Sequence, residues 1–295
     1  MKGVRELKSR IRGIGNIKKI TKAMEMVATT KLRRLQDRAL ATRPYATRIA
    51  EMMQRVARHT DPALSPLLRV PETCEREALV VVGADRGLCG AYNSNLFRAL
   101  GAHLRTLEAE GVEPRVFAFG RKVKTYLRKL PGVSVEYAHD GVIEKMGWTD
   151  ARMVIEELSQ RFREGEVQRV SVLYSRMLSL ARFEPTVQTL LPVTAEAAGV
   201  GGGDEDEGGQ DYILEPSPQI LMERLLPRYL VMQLYAAVLE SLTSEFAARR
   251  VAMKNATDNA DELTEMLTMQ YNKARQEGIT NELMDIIGGT VALVG

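Results

Sequence analysis

The sequence contains few of the residues on which several kinds of protein depend. Among its 295 residues are only two cysteines, Cys74 and Cys89, which excludes a disulfide framework and a zinc site built from cysteines alone. The three histidines, His59, His103 and His139, stand too far apart for a metal-ligand spacing. Uncharged apolar runs are shorter than the roughly 18 to 20 residues that a membrane-spanning helix needs. We therefore predict a soluble chain with no metal site and no membrane span.

Aromatic residues are also scarce, at 5%, which is common in long helices and coiled coils. The net charge of +3 indicates no partner, but residues 1–58 carry 16 Lys or Arg against four acidic residues, a net charge of +12. This basic segment fits a solvated helix face, a nucleic-acid surface or a docking surface for an acidic protein. The segment shows no interleaved aromatic residues and no helix-turn-helix pattern, so nucleic-acid binding has the least support.

Both ends of the sequence are predicted to form long helices. Residues 16–43 contain neither glycine nor proline, and apolar residues near them recur every three or four positions, as in a coiled-coil seam. We expect the seam to shift around the helix near Gly13 and Gly15, and Pro44 to kink or restart the helix. The predicted seam positions are Val4, Leu7, Ile11, Ile14, Ile17, Ile20, Met24 and Val27.

The C-terminal pattern is longer still. Residues 228–277 include no glycine or proline, and an unbroken helix of that length would span about 75 Å. The last ten residues, 286–295, are uncharged, and we expect them to lie in an apolar sleeve formed by another chain. The predicted seam positions at this end are Ala260, Leu263, Leu267, Gln270 and Ala274.

Between the ends, short apolar runs alternate with helical patterns, which predicts a mostly parallel α/β sheet inserted between two terminal helices. If those helices pair, the pairing must be antiparallel, because the insert returns the chain to its start. The predicted strands are 78–82, 116–119, 133–137, 169–174 and an edge strand at 186–190, and the predicted helices are 91–109, 121–128 and 149–163.

The loop GADRGLCG, residues 83–90, stands between a strand and a helix, where phosphate-binding loops occur. Its glycines do not form G-x-G-x-x-G, and the chain contains no G-x-x-x-x-G-K-[ST]. We predict a tight structural turn in which Cys89 is a small buried side chain and Asp85 and Arg86 pair or cap the next helix. No Ser-His-Asp grouping or convincing carboxylate pair is present, so the sequence predicts no catalytic constellation, no cofactor and no enzyme.

Four ordered blocks carry a family resemblance. They are ITKAMEMVATTKLRRLQ (20–36), DRGLCGAYN (85–93), ARRVAMKNATDNADEL (248–263) and YNKARQEGITNELMDIIGG (271–289). Through them the whole chain resembles the γ-subunit family of F-type ATP synthases. The resemblance implies α/β plus coiled coil: long terminal helices in an antiparallel coiled coil, with a Rossmann-like α/β domain between them. It divides the chain into shaft helices at 1–61 and 217–295 and an α/β foot at 72–211, with an acidic glycine-rich loop at 199–211.

The resemblance also implies a function. The chain would be a central-stalk rotor that couples proton flow through a membrane ring of c subunits to ATP synthesis or hydrolysis at sites in an α3β3 hexamer. It would contribute no catalytic group, would bind the ε subunit, and would lie at the cytoplasmic face of a bacterial plasma membrane. Without the resemblance, two other hypotheses stay open: a free-standing α/β nucleotide-binding enzyme, or a basic coiled-coil scaffold for nucleic acid.

Particular residues match positions that have roles in the family. The resemblance implies that four shaft residues contact β subunits: Arg249, Gln276, Thr280 and Glu282. It assigns Tyr212 and Glu215 to the contact with the rotor ring or ε, and Lys22, Met24 and Lys31 to the lower rim of the hexamer. Gln276 and Thr280 are four residues apart and share a helix face.

Overall fold

The structure is a computed structural model that describes residues 2–57, 65–130, 132–139, 143–179, 182–193 and 215–294. Its helices and strands alternate as the sequence predicted. The elements are α1 (Lys2–Ala57), β1 (Arg76–Val82), α2 (Tyr92–Ala109), β2 (Glu113–Phe119), α3 (Arg121–Leu127), β3 (Ser134–His139), α4 (Trp148–Arg163), β4 (Arg169–Ser179), β5 (Arg182–Leu191) and α5 (Pro218–Val294). The predicted acidic loop at 199–211 lies outside the described residues.

The sheet has five strands in the order β3-β2-β1-β4-β5. The pairs β3–β2, β2–β1 and β1–β4 are parallel, and β5 pairs with β4 in the antiparallel direction. Strand β1 lies in the middle and is buried from Glu77 to Val82, as expected for an apolar strand covered on both faces. Leu79 and Val81 pack with Leu96 and Leu100 of α2 and Val123 of α3. The prediction of a mostly parallel sheet with an edge strand is confirmed.

The described chain forms two compact units. One consists of Met1–Thr30 and Arg249–Gly295, and the other of Lys31–Ala248. Helices α1 and α5 contribute to both units. Helix α1 runs without interruption through Gly13, Gly15 and Pro44, so the expected restart at Pro44 does not occur. Proline fixes a φ angle that a helix accepts, although it removes one backbone hydrogen bond and its ring crowds the carbonyl four residues earlier.

The two terminal helices pair in the antiparallel direction within the first unit. The hydroxyls of Thr21 and Thr257 are 2.8 Å apart and buried, and Lys18 forms an ion pair with Asp261. Partners that lie earlier on α1 lie later on α5, which defines the antiparallel direction. The Thr257 hydroxyl can donate to the Met253 carbonyl at 2.9 Å while it accepts from Thr21, so neither hydroxyl is left unsatisfied.

The positions that are shielded from solvent differ from the predicted seams. On α1 the seam continues from Ile14 to Lys18, Thr21, Glu25 and Ala28 without a shift, whereas Ile17, Ile20 and Val27 are 54%, 59% and 56% exposed. Met24 is half-buried. Thr21 occupies the inner face where it bonds to Thr257, and Lys18 lies there beside its partner Asp261, so polar pairs between the helices set this part of the seam. The expected shift near Gly13 and Gly15 was therefore wrong.

The shielded positions of α5 also differ in part from the predicted seam. Ala260, Leu267 and Ala274 are shielded as predicted, but Thr264 and Tyr271 lie in the seam where Leu263 and Gln270 were expected. Leu263 is 45% exposed. The face that carries Thr257 and Asp261 is fixed by their partners on α1, and this turns Leu263 outward. None of the helices among the described residues is both long enough and apolar enough to cross a membrane.

One buried hydroxyl offers a test of the core. Ser159 on α4 is 3% exposed, and its Oγ has no hydrogen-bond partner among the described residues. An unsatisfied buried hydroxyl costs about 1–3 kcal/mol, so Ser159→Ala should raise the free energy of unfolding by about 1 kcal/mol in urea denaturation. The matched control is Ser244→Ala, because the buried Ser244 hydroxyl donates to the Ser175 carbonyl at 2.9 Å. That variant should be less stable, and a destabilised Ser159→Ala would contradict the prediction.

Candidate functional site: an outward apolar face and a filled sheet edge

The outer surface of the paired terminal helices is unusually apolar. On α1, the outward side chains of Ile17, Ile20 and Met26 are more than half exposed, at 54%, 59% and 58%. On α5, Met266 and Met269 are 48% and 66% exposed. Soluble monomers rarely leave large apolar side chains in extended exposed rows, and such rows mark surfaces that another protein covers.

The last described turns of α5 continue this surface. Ile279, Leu283 and Ile287 follow one another at intervals of four and are 54%, 55% and 50% exposed. Ile286 is 70% exposed beside them. Fully burying one such side chain contributes about 1.5–3 kcal/mol, and a protein that enclosed the exposed parts of these four would gain about twice that amount. We call residues 279, 283, 286 and 287 the C-terminal apolar stripe.

The structure places the four predicted β-subunit contacts in two different settings. Gln276, Thr280 and Glu282 are exposed on α5, and Gln276 and Thr280 flank the C-terminal apolar stripe. Arg249 is only 7% exposed, so most of its side chain is covered by this chain itself. The side chains of Gln276, Thr280 and Glu282 can therefore contact a partner, whereas that of Arg249 is mostly covered.

The predicted residues of the N-terminal helix also differ in setting. The exposed Lys22 ammonium lies 3.0 Å from the carboxylate of Glu25, one turn further along α1 in the shielded seam. Lys31 instead binds within the α/β unit: its Nζ is 2.6 Å from Oε2 of Glu144 and 5.2 Å from the centre of the Phe246 ring. This pair ties α1 to the short helical turn Ile143–Lys145. Glu215 is exposed just before α5, and Tyr212 lies outside the described residues.

The carboxyl edge of the sheet is the place where open α/β folds usually bind ligands, at the point where strand order reverses. Here that point lies between β1 and β4, and Ser241 of α5 occupies it. The Ser241 hydroxyl donates to the Val82 carbonyl at 3.1 Å and accepts hydrogen bonds from the Tyr92 hydroxyl at 2.7 Å and the Ser175 amide at 3.3 Å. Burial raises the pKa of Tyr92 well above its ordinary value, so the phenol stays protonated and donates.

The loop after β1 packs against the same helix. Cys89 is 2% exposed and clusters with Ala84, Tyr92 and Ala248, which confirms the prediction of a small buried side chain. A Cβ on Gly120 would lie 2.4 Å from the Gly83 carbonyl oxygen, so the two loops need glycine for their close approach. The loop and α5 therefore fill the crevice that a nucleotide would use in a Rossmann enzyme.

Asp85 has a different role from the predicted one. Its carboxylate accepts the backbone N–H groups of Arg121 at 3.2 Å and Ile143 at 3.0 Å. It satisfies the first backbone N–H of α3, which lies further along the chain than the helix that follows the loop. The parallel β1–β2 pairing brings the two loops together, and a reading of local sequence alone gives no sign of this contact.

Sequence reasoning missed a buried charge at the other end of the sheet. Glu77 of β1 is fully buried, its Oε1 accepts from His103 Nε2 at 2.9 Å, and its Oε2 accepts from Arg169 Nε. Burial alone would raise the pKa of Glu77, but the bond from His103 and the charge of Arg169 outweigh it and hold the pKa below its usual value. The sequence held one sign of this buried charge: Glu77 is an acidic residue beside the apolar run of β1.

Comparison with known proteins gives a consistent result over the whole chain. A family model described as ATP synthase matches residues 3–293. The ATP synthase gamma chains of Glaesserella parasuis serovar 5 and Acidiphilium cryptum are 38% and 40% identical, over 99% of this chain and 100% of each relative. That of Gemmatimonas aurantiaca is 40% identical over 99% of both chains.

Two solved structures share the fold. A chain in the rotor of the Euglena gracilis mitochondrial ATP synthase matches with a TM-score of 0.62 at 22% identity, over 94% of this chain and 99% of that one. A chain from the OSCP/F1/c-ring structure of the same enzyme gives a TM-score of 0.65 at 22% identity, over 99% of this chain and 95% of that one. The sequence matches therefore carry the assignment, and the structures agree with the fold: the chain belongs to the ATP synthase gamma-chain family.

Proposed function

We propose that this chain is the central-stalk rotor of a proton-translocating F-type ATP synthase. The paired helices of 1–61 and 217–295 would stand as a shaft inside an α3β3 hexamer, and residues 72–211 would form the foot on ε and the c ring. The observation that carries the proposal is the outward apolar face of the paired helices, because exposed Ile17, Ile20 and the C-terminal apolar stripe need an enclosing protein.

A shaft acts only if its sides differ. Rotation changes which side faces each β subunit, and a β conformation is favoured when it binds the facing side more tightly than the alternatives do. Gln276 and Thr280 would supply polar contacts next to apolar ones, whereas Arg249 would act partly by holding the shaft together. Lys22 and Met24 would face the lower rim of the hexamer, and Lys31 would stabilise the foot through Glu144.

In this proposal the chain is not an enzyme and needs no cofactor. The filled crevice between β1 and β4 supports this view, because Ser241 and Tyr92 occupy the position where a Rossmann-like fold would hold a ligand. Catalysis would take place on partner subunits. The chain would lie at the cytoplasmic face of a bacterial plasma membrane, held there by its partners, with Glu215 and Tyr212 near the c ring or ε.

Co-purification tests the proposal. The chain should be tagged within the glycine-rich segment near Gly201 and purified in mild detergent from membranes of its source. We expect α, β, ε and c subunits in fixed ratio, together with ATPase activity. Recovery of the chain alone, or with nucleic acid in place of those subunits, would overturn the proposal.

The polar contacts can be tested separately. Gln276→Ala with Thr280→Ala should lower proton-driven ATP synthesis in membrane vesicles about fivefold, the effect of losing about 1 kcal/mol of coupling free energy. The control is Asn281→Ala, because Asn281 is exposed on a different side of α5. If the double variant, the control and the wild type make ATP at equal rates, neither Gln276 nor Thr280 contributes a contact to the β subunits.

A further inference from the structure

A groove in the α/β unit has no role in the proposed rotor function. It lies among α1, α4 and α5 and has a cavity volume of about 1190 Å³. Its floor includes the buried side chains of Ile155 and Val231, and Tyr45, Trp148 and Tyr235 form one wall. Small-molecule pockets are usually about 300–1,000 Å³, so this volume favours a segment of protein as the occupant. We call it the α1–α4–α5 groove.

The aromatic wall has the character of a binding surface. The rings of Tyr45 and Trp148 meet edge to face at 5.7 Å, and those of Trp148 and Tyr235 at 6.1 Å. Each ring restricts its neighbour, so little side-chain freedom is lost when a partner binds. Tyr45 remains 45% exposed despite these contacts. Tyrosine and tryptophan are among the residues that contribute most to protein–protein binding, especially beside a well-packed apolar floor.

The charge of the groove indicates what kind of segment it accepts. Its lining includes four arginines, Arg152, Arg163, Arg224 and Arg228, and two acidic residues, Glu156 and Glu223. Arg152 pairs with Glu156 at 3.5 Å. Within the described part of the chain, Arg163, Arg224 and Arg228 form no ion pair. An occupant that carries carboxylates would supply three missing partners, whereas a basic occupant would meet repulsion.

The spacing of the arginines sets the length of the occupant. Arg224 and Arg228 are four residues apart and share a face of α5. Arg152 and Arg163 are eleven residues apart on α4, about three turns or 16 Å along the helix. A segment that reaches both ends therefore needs about five extended residues at 3.3 Å each, or about eleven helical residues.

We propose that the α1–α4–α5 groove binds an acidic segment of a partner subunit, with an apolar or aromatic anchor against Tyr45 and Trp148 and carboxylates paired to Arg163, Arg224 and Arg228. This proposal rests on the proposed function, because it requires that the chain work inside an assembly. It adds a binding site, the α1–α4–α5 groove, and a mode of recognition, the pairing of arginines with carboxylates, which the rotor function does not itself specify.

Photo-crosslinking in the assembled complex tests the groove. The photoreactive residue p-benzoylphenylalanine replaces Tyr45, the complex is purified and irradiated, and the adduct is identified by mass spectrometry. We expect an adduct with a partner-subunit peptide that carries at least two Asp or Glu near an apolar residue. Arg224→Glu with Arg228→Glu should lower the adduct yield about tenfold or more, the equivalent of 1.4 kcal/mol.

The matched control is Arg98→Glu with Arg128→Glu, which reverses two exposed charges outside the groove and should leave the yield within about twofold. An adduct with lipid, nucleic acid, this chain or a peptide without acidic residues would overturn the proposal. So would the absence of any adduct, or an adduct yield that is the same with and without Arg224→Glu and Arg228→Glu. Subunit content and ATPase activity are read from the same preparation. An intact complex without the adduct therefore rejects the groove and leaves the rotor function standing.

Discussion

Glu77→Gln should lower the free energy of unfolding of the α/β unit by about 3 kcal/mol. Glu77 is fully buried and binds both His103 and Arg169. Breaking a buried ion pair typically costs about 3–5 kcal/mol, because the remaining charge loses its partner. We expect the lower end of that range, since the Arg169 side chain is 30% exposed and still lies 3.3 Å from Glu110. Urea denaturation of the full chain, followed by circular dichroism, measures the difference.

The pH dependence of the free energy of unfolding distinguishes the loss of the Glu77 charge from a change in packing. The folded pKa of Glu77 is lower than its unfolded value, so its stabilisation is complete above the unfolded pKa of about 4.3 and is lost as the pH falls through the folded pKa. The gap between wild type and Glu77→Gln should therefore be widest near pH 7 and should narrow below about pH 4. A gap that stays constant across this range would attribute the loss to packing instead of charge.

A surface pair provides the control. Glu113 opens the neighbouring strand β2 and lies 3.0 Å from Arg115, but its side chain is 53% exposed. Exposed ion pairs contribute about 0–1 kcal/mol, so Glu113→Gln should change the free energy of unfolding by less than 1 kcal/mol. Equal losses in the two variants would contradict the role of burial.

The sheet could be predicted from the sequence because its signals are local. Runs such as 78–82 are apolar throughout, and turns rich in glycine separate them from amphipathic helices. The contacts of Asp85 and Ser241 could not be predicted in this way. Each depends on which strands lie side by side, and residues 36 and 159 positions apart in the chain meet only after the sheet has formed.

The paired helices show where apolar periodicity misleads. It selected Ile20 over Thr21, whereas the structure exposes 59% of Ile20 and only 8% of Thr21. Around Thr21 the inner face holds a buried hydroxyl pair, whereas the large apolar side chains of Ile17 and Ile20 point outward, where this proposal places the hexamer. Continuing the spacing of Val4 to Ile14 without a shift would have found the true seam. A helix that is enclosed by partners is apolar on both faces, so apolarity alone does not identify the intramolecular one.

The outward apolar surface leads to the largest expected functional effect. Ile279→Asp with Leu283→Asp places two carboxylates on one face of α5, where the proposed shaft enters its sleeve. About half of each side chain is exposed, so each substitution removes about 1–1.5 kcal/mol of apolar burial and adds the cost of burying a charge. We expect ATP synthesis in membrane vesicles to fall at least about tenfold, the effect of 1.4 kcal/mol. The helical content of the isolated chain should be unchanged, because both side chains are exposed in it.

The control adds the same charge without removing apolar surface. Asn272→Asp with Asn281→Asp introduces two carboxylates at exposed positions of the same helix, with side chains of nearly the same shape. If added charge alone weakened the contact, both double variants would lose synthesis alike. If the apolar stripe forms the contact, only Ile279→Asp with Leu283→Asp should lose synthesis, and its complex should release this chain more readily on dilution. Retained synthesis in that variant would mean that the hexamer does not contact the C-terminal apolar stripe. The rotor proposal would then lose the main structural observation on which it rests.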